Sequence, residues 1–163
     1  MAGVKGGTLT GERADKAQIQ ADLLAAESQP PRQLSSQSLP GPTGESNQLS
    51  VYGRGVVLCA GPGARLAQQQ ADIAHANGCS AVQVVGDLHS EDLVDLAGFD
   101  VVALWGDSAA QTAARQSLSS RDGRIIALAT GEDLAAKCRL ERHICIDTTA
   151  AGGNASLLAA VSG

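Results

Sequence analysis

Apolar positions along this chain follow two regimes that meet near Val51. From Gly55 onward, short continuous apolar runs alternate with amphipathic stretches. "GVVLCAG", "SAVQVVGD", "FDVVALWGD", "RIIALATG" and "RHICIDTT" predict five strands. They are unbroken apolar runs rather than in/out alternations, the pattern of strands covered on both faces. Between them lie helical segments. "GARLAQQQADIAHANG" has Pro62 at its first turn and Gly78 placed to end it. "SEDLVDLAG" follows Ser90 as N-cap, and "SAAQTAARQSLSSRDG" shows a capping-box spacing between Ser108 and Gln111. "EDLAAKCRL" follows Thr130 as cap. Alternating strands and helices with right-handed crossovers predict an α/β, Rossmann-like domain over residues 51–148. It would have about five mostly parallel strands and helices on both faces.

Residues 1–50 read differently. They hold four of the five prolines and much of the Gln and Ser. A helix is predicted over 12–27, with Ile19, Leu23 and Ala26 on one face. "SQPPRQLSSQSLPGPTGESN" is a run of turn and loop signals. The segment is expected to be a partly disordered, flexible leader. "QLSVYGR" (Gln48 to Arg54) is a further possible strand. Residues 149–163 form a glycine-rich tail.

Composition narrows the picture. Of 163 residues, 44% are apolar, but the aromatics are only Tyr52, Phe99 and Trp105, so Ala, Val, Leu and Ile must fill the core. The formal net charge of −5, without a basic run, argues against a nucleic-acid partner. The start has no apolar signal region, and no run is long enough to span a bilayer. The expected location is the cytoplasm. Cys59, Cys79, Cys138 and Cys145 lack C-x-x-C spacing and are expected to be free thiols in apolar surroundings. His75, His89 and His143 form no ligand pattern, and no metal site is expected.

Two kinds of chemistry suggest themselves. The first strand–helix turn, "AGPGARL", places Gly61 and Gly63 like the first two glycines of G-x-G-x-x-G. Leu66 stands at the third position, and Pro62 removes one N–H from the turn. Asp87 closes the second strand, where an acid would meet a ribose. Gly61, Gly63 and Asp87 are therefore the candidate cofactor-binding residues of a nucleotide- or small-ligand-binding module. Catalysis lacks a comparable set. Cys59 and Cys145 fall in strand interiors. Asp87 with His89, and Asp107 with Ser108, sit at strand carboxyl ends, where helix capping explains them.

"IDTTAAGGNASL", "LPGPTGESN" followed by "RGVVLCAG", and "DVVALWGDS" with "RDGRIIAL" resemble the C-terminal part of long-form proline utilization A proteins, from about Leu39 to the end. The resemblance departs at Asp147 and Thr149, where Asn and Ala are expected. It implies a bifunctional parent enzyme: FAD-dependent proline dehydrogenase and NAD-dependent L-glutamate gamma-semialdehyde dehydrogenase. It implies a C-terminal domain, related to the aldehyde dehydrogenase superfamily, that is not itself catalytic and binds no cofactor. That domain would cover the aldehyde dehydrogenase domain of the same polypeptide and seal the channel for the intermediate. The strand at Gln48 to Arg54 would pack on a neighbouring domain and be poorly anchored without it. Thr148, Ala150, Ala151, Gly152, Gly153, Asn154, Ala155, Ser156 and Leu157 match the family's tail motif and would form part of the lid. Small residues allow close backbone approach, while Asn154 and Ser156 can hydrogen-bond to a foreign backbone. In the isolated domain this tail is expected to be disordered.

Overall fold

A computed structural model describes residues 11–147. In chain order the elements are α1 (Lys16–Glu27), β1 (Gln33–Leu39), β2 (Glu45–Gly53), β3 (Val56–Cys59), α2 (Gly63–Ala76), β4 (Ser80–Gln83), α3 (Asp92–Asp95), β5 (Val101–Ala103), α4 (Ser108–Ser119), β6 (Ala127–Ala129), α5 (Leu134–Lys137) and β7 (Arg139–Asp147).

The alternating half folds as its pattern dictates. A parallel sheet of four strands runs in the order β4-β3-β5-β6. Along β3, side chains alternate between two cores. Val56 and Leu58 join Ile19, Leu23, Leu93, Phe99 and Leu118 beneath α1, α3 and α4. Val57 and Cys59 join Ala67, Ala71, Ala74, Leu134 and Cys138 beneath α2 and α5. Burial on both faces is why these strands read as unbroken apolar runs. The second core is lined by alanines and thiols, so α2 can lie close to the sheet without large side chains.

The helix ends follow local chemistry. Asp15 caps α1, accepting from the N–H groups of Ala17 and Gln18. Asp107, not Ser108, caps α4 by accepting from Ala110 N, and Gln111 instead donates to the Gly106 carbonyl at 2.9 Å. Asp133 rather than Thr130 supplies the oxygen before α5, accepting from the N–H of Thr130 and Gly131. Before α3 the Ser90 carbonyl, rather than its hydroxyl, is used.

Three expectations are corrected. The fifth predicted strand does not join the parallel sheet. β7 pairs antiparallel with β2 over nine positions, from Glu45 opposite Asp147 to Gly53 opposite Arg139, in a separate sheet ordered β1-β2-β7. The stretch Gln33–Leu39, read as loop, is the outer strand of that sheet. Its polar side chains gave no apolar alternation, yet they pair: Ser36 and Ser50 hydroxyls lie 3.0 Å apart, and Gln48 donates to Ser36 at 2.9 Å. "QLSVYGR" is indeed largely strand, but it is held on both edges rather than left loose.

Residues 12–27 are integral to the parallel domain. Ala14 N donates to the Asp87 carbonyl at 3.0 Å, and Asp87 N to the Glu12 carbonyl at 2.8 Å. Arg13 pairs with Asp92 at 2.9 Å, Lys16 with Asp95 at 2.6 Å, and Leu23 is wholly buried.

The two sheets meet at a backbone contact. Gly53 donates to the Arg32 carbonyl and Arg32 to the Gly78 carbonyl, both at 2.9 Å. A Cβ on Gly53 would lie 2.1 Å from the Gly78 carbonyl oxygen, so the position tolerates only hydrogen. Arg54 adds bonds to the carbonyls of Cys138 and Lys137, at 2.7 and 2.8 Å.

Candidate functional site

The β3–α2 turn is built as a closed clamp. Gln70, two turns into α2 and wholly buried, reaches back to Gly61. Its Oε1 accepts from Gly61 N at 2.9 Å and its Nε2 donates to the Gly61 carbonyl at 2.8 Å. The same carbonyl accepts from Trp105 N at 2.9 Å. Pro62 has no N–H, so neither residue offers a donor to a pyrophosphate. Gly63 opens α2, whose N-terminus has no side-chain cap. Gly61 and Gly63 both have positive φ, 76° and 79°, which accounts for the two glycines by backbone shape alone.

Residues 12–14 run alongside Asp87. Its backbone is paired with them, and a Cβ on neighbouring Gly86 would meet Ala14 N and the Glu12 carbonyl oxygen at 2.9 Å. The place where an acid would meet a ribose is therefore packed against this chain's own backbone. One oxygen of Asp87, Oδ1, is buried with no hydrogen-bond partner.

The remaining residues singled out from sequence do not assemble. His89 approaches Glu91 at 3.9 Å, and its N–H is accepted by Asp92 at 3.3 Å. Asp107 and Ser108 belong to the start of α4. Cys59 is buried, and burial raises its thiol to about 12, a poor nucleophile at neutral pH. Cys79 and Cys138 are buried beside it, with the Cys79 thiol 3.2 Å from the Cys138 carbonyl oxygen. Cys145 departs from expectation. It is exposed, as are eight of the nine residues of β7, the outer strand of the antiparallel sheet. Among the described residues, no group of three or more His, Cys, Asp or Glu could hold a metal. The tail motif, Thr148 to Leu157, lies outside the described residues.

Two surfaces remain. An apolar cleft of about 370 Å³ opens beside Trp105, lined by Ile73, Gly131, Glu132, Leu134 and Ala135. Trp105 Nε1 is buried without a partner. The larger surface is the antiparallel sheet. Eight of the nine β7 residues are exposed, and Ile144 and Ile146 are 52% and 55% exposed. By pairing, Ile144 and Ile146 share one face with Leu140, Arg142 and Tyr52, whose ring stacks under the Arg142 guanidinium at 4.6 Å. Among the described residues β7 is the exposed edge of this sheet, whereas β2 in its centre is partly buried, with Ser50 at 6% exposure.

The sequence of the bifunctional protein PutA of Escherichia coli K12 is 32% identical over 143 residues, covering 74% of this chain. The chain is a PutA-related domain. The PutA of Salmonella typhimurium LT2 is 29% identical over the same length. The domain spans about 11% of the length of both curated relatives. Two solved structures are also similar. A mutant of Bradyrhizobium japonicum proline utilization A has a TM-score of 0.46 and 20% identity, over 69% of this chain and 14% of that one. A bifunctional proline utilization A protein has a TM-score of 0.38 at 20% identity, with the same coverage. No protein-family model matches. Among the described residues of this PutA-related domain, no helix is long and apolar enough to cross a membrane.

Sequence reading missed Gln70 and the hairpin. Gln70 carried a signal: it falls at helical spacing with buried Ala67, Ala71 and Ala74. The hairpin carried one too. "PGPTG" separates two stretches of similar length, and Glu45 N donates to the Pro42 carbonyl at 3.0 Å across the turn.

Proposed function

We propose that this PutA-related domain is the non-catalytic C-terminal domain of a bifunctional enzyme that oxidises proline to glutamate. Its antiparallel sheet docks on the aldehyde dehydrogenase domain of the same polypeptide, and its glycine-rich tail, Thr148 to Leu157, completes a lid over the route taken by the intermediate. FAD and NAD are held by other parts of the parent, which works in the cytoplasm. The observation that carries this reading is the exposed outer strand β7, with Ile144 and Ile146 on one face. The closed Gly61–Gln70 clamp supports the non-catalytic assignment, because it uses the Gly61 N–H, one of the donors a cofactor phosphate would need.

The test is a titration of the aldehyde dehydrogenase domain of a PutA protein with this chain, followed by calorimetry. Saturable one-to-one binding is expected, weakened at least tenfold by Ile144→Asp with Ile146→Asp. Binding unchanged by the double substitution, or no binding at all, counts against the proposal.

A second reading, a small-ligand module, rests on the cleft beside Trp105, whose apolar lining suits a ligand with an apolar body. Quenching of the Trp105 fluorescence by a panel of short-chain amphiphiles at micromolar concentration supports it, and an unchanged spectrum removes it.

A further inference from the structure

Among the described residues, the parallel sheet ends on β6 with one edge unpaired. β6 is the last strand in the order β4-β3-β5-β6, and the strand that sequence placed next in line is spent in the other sheet. Its ladder partners fix which groups face outward. Ala127 N donates to the Asp100 carbonyl at 3.2 Å, and the Ala129 carbonyl accepts from Leu104 N at 2.9 Å. In a parallel ladder the alternate residues, Ile126 and Leu128, then turn their N–H and C=O groups away from β5. Lys137 Nζ takes the Leu128 carbonyl at 2.5 Å. The Ile126 pair and the Leu128 N–H remain along the edge.

A cleft of about 480 Å³ runs along this edge, between the end of α4 and Lys137 of α5. Its lining holds four cations, Arg115, Arg121, Arg124 and Lys137, and no carboxylate, on a chain whose net charge is −5. Arg124 is paired with Asp100 at 2.8 Å and lies 3.9 Å from Glu27, while Lys137 is paired with Asp133 at 2.5 Å. Arg121 donates to the carbonyls of Leu93 and Val94 and lies over the Phe99 ring at 5.0 Å. Among the described residues Arg115 is in no ion pair, and Arg121 has the Asp95 carboxylate near it but beyond ion-pair distance. Ile125, next to this cleft, is 95% exposed.

We infer that the β6 edge is a docking site for an extended acidic segment of a partner protein, which adds a fifth strand to the parallel sheet. Backbone groups of the segment meet Ile126 and Leu128, its carboxylates face Arg115 and Arg121, and its apolar side chains cover Ile125. A second copy of this chain is a poor occupant of the same edge, since edge-to-edge pairing would bring the two sets of cations together. The inference is independent of the proposed lid role, which uses the other sheet.

The test uses the whole chain and a fluorescein-labelled hexapeptide alternating glutamate and valine, read by anisotropy and by amide hydrogen exchange. Saturable binding and slowed exchange at Ile126 and Leu128 are expected. An N-methylated copy of the peptide should bind at least tenfold more weakly, because it has no N–H to pair. Arg115→Glu and Ile125→Glu, both at exposed positions, should each weaken binding about tenfold. Equal binding of the N-methylated peptide, equal binding of a lysine–valine peptide, or unchanged exchange at Ile126 and Leu128 would overturn the inference.

Discussion

Gln70→Leu should be among the most damaging single substitutions in α2. The side chain is wholly buried and makes two hydrogen bonds to one residue, Gly61, at 2.9 and 2.8 Å. Leucine fills similar volume, so packing loss is small. What remains is the polar cost. The Gly61 carbonyl keeps its bond from Trp105 N, but the Gly61 N–H is left buried and unpaired. An orphaned buried donor costs about 1–3 kcal/mol and a lost neutral bond about 0.5–1.5 kcal/mol, so the total is about 2–4 kcal/mol. With a urea slope of about 2 kcal/mol/M, the unfolding midpoint should fall by about 1–2 M. Gln70→Glu keeps an acceptor for Gly61 N and, once ionised at high pH, offers the Gly61 carbonyl no donor, at the added cost of a buried charge. Urea unfolding followed by Trp105 fluorescence measures both. A midpoint for Gln70→Leu within about 0.25 M of the parent, equivalent to about 0.5 kcal/mol at that slope, would refute the clamp.

Other outcomes follow from the same geometry. Gly53→Ala places a methyl group 2.1 Å from the Gly78 carbonyl oxygen, so the joint between the sheets must shift. The cost is about 1–3 kcal/mol, or about 3–9 °C in Tm by calorimetry. A bulky maleimide should modify exposed Cys145 rapidly in the native chain, and Cys59, Cys79 and Cys138 only after denaturant is added; mass spectrometry showing two fast thiols would contradict the burial pattern. For Asp133, burial pushes the carboxyl up, but hydrogen bonds from Lys137 and from the Thr130 and Gly131 N–H groups outweigh it and hold it below its ordinary value. A depressed carboxyl adds stability above its unfolded value and loses it as pH falls through the folded one. Asp133→Asn should therefore lower the urea midpoint at pH 7 and make little difference at pH 2, a contrast that a flat difference across pH would contradict.

How much of this was legible depended on what each segment buries. β3 and β5 were readable because both faces are covered, which forces continuous apolar runs. The α1 face was readable from Ile19 and Leu23 at helical spacing, both buried. "RHICID" misled because its Ile-Cys-Ile run looks like a core strand, whereas in this chain it is exposed. Apolar residues on an exposed strand read like core residues, and only the topology separates the two. β1 was illegible for the opposite reason. It is held mainly by ladder hydrogen bonds, which leave little trace in side-chain pattern. The glycines at 61 and 63 were visible, but the occupant of their N–H and C=O groups came from Gln70, a polar residue on a face otherwise lined by alanine.

The most direct test of the lid account is made in the bifunctional polypeptide that the proposal assigns to this domain, carrying Ile144→Glu and Ile146→Glu. Proline turnover is followed with and without a chemical trap for the intermediate in solution. The account predicts that each dehydrogenase activity, assayed separately, is retained while trapped intermediate rises and NADH formation acquires a lag. Unchanged trapping and no lag in the substituted enzyme would contradict it.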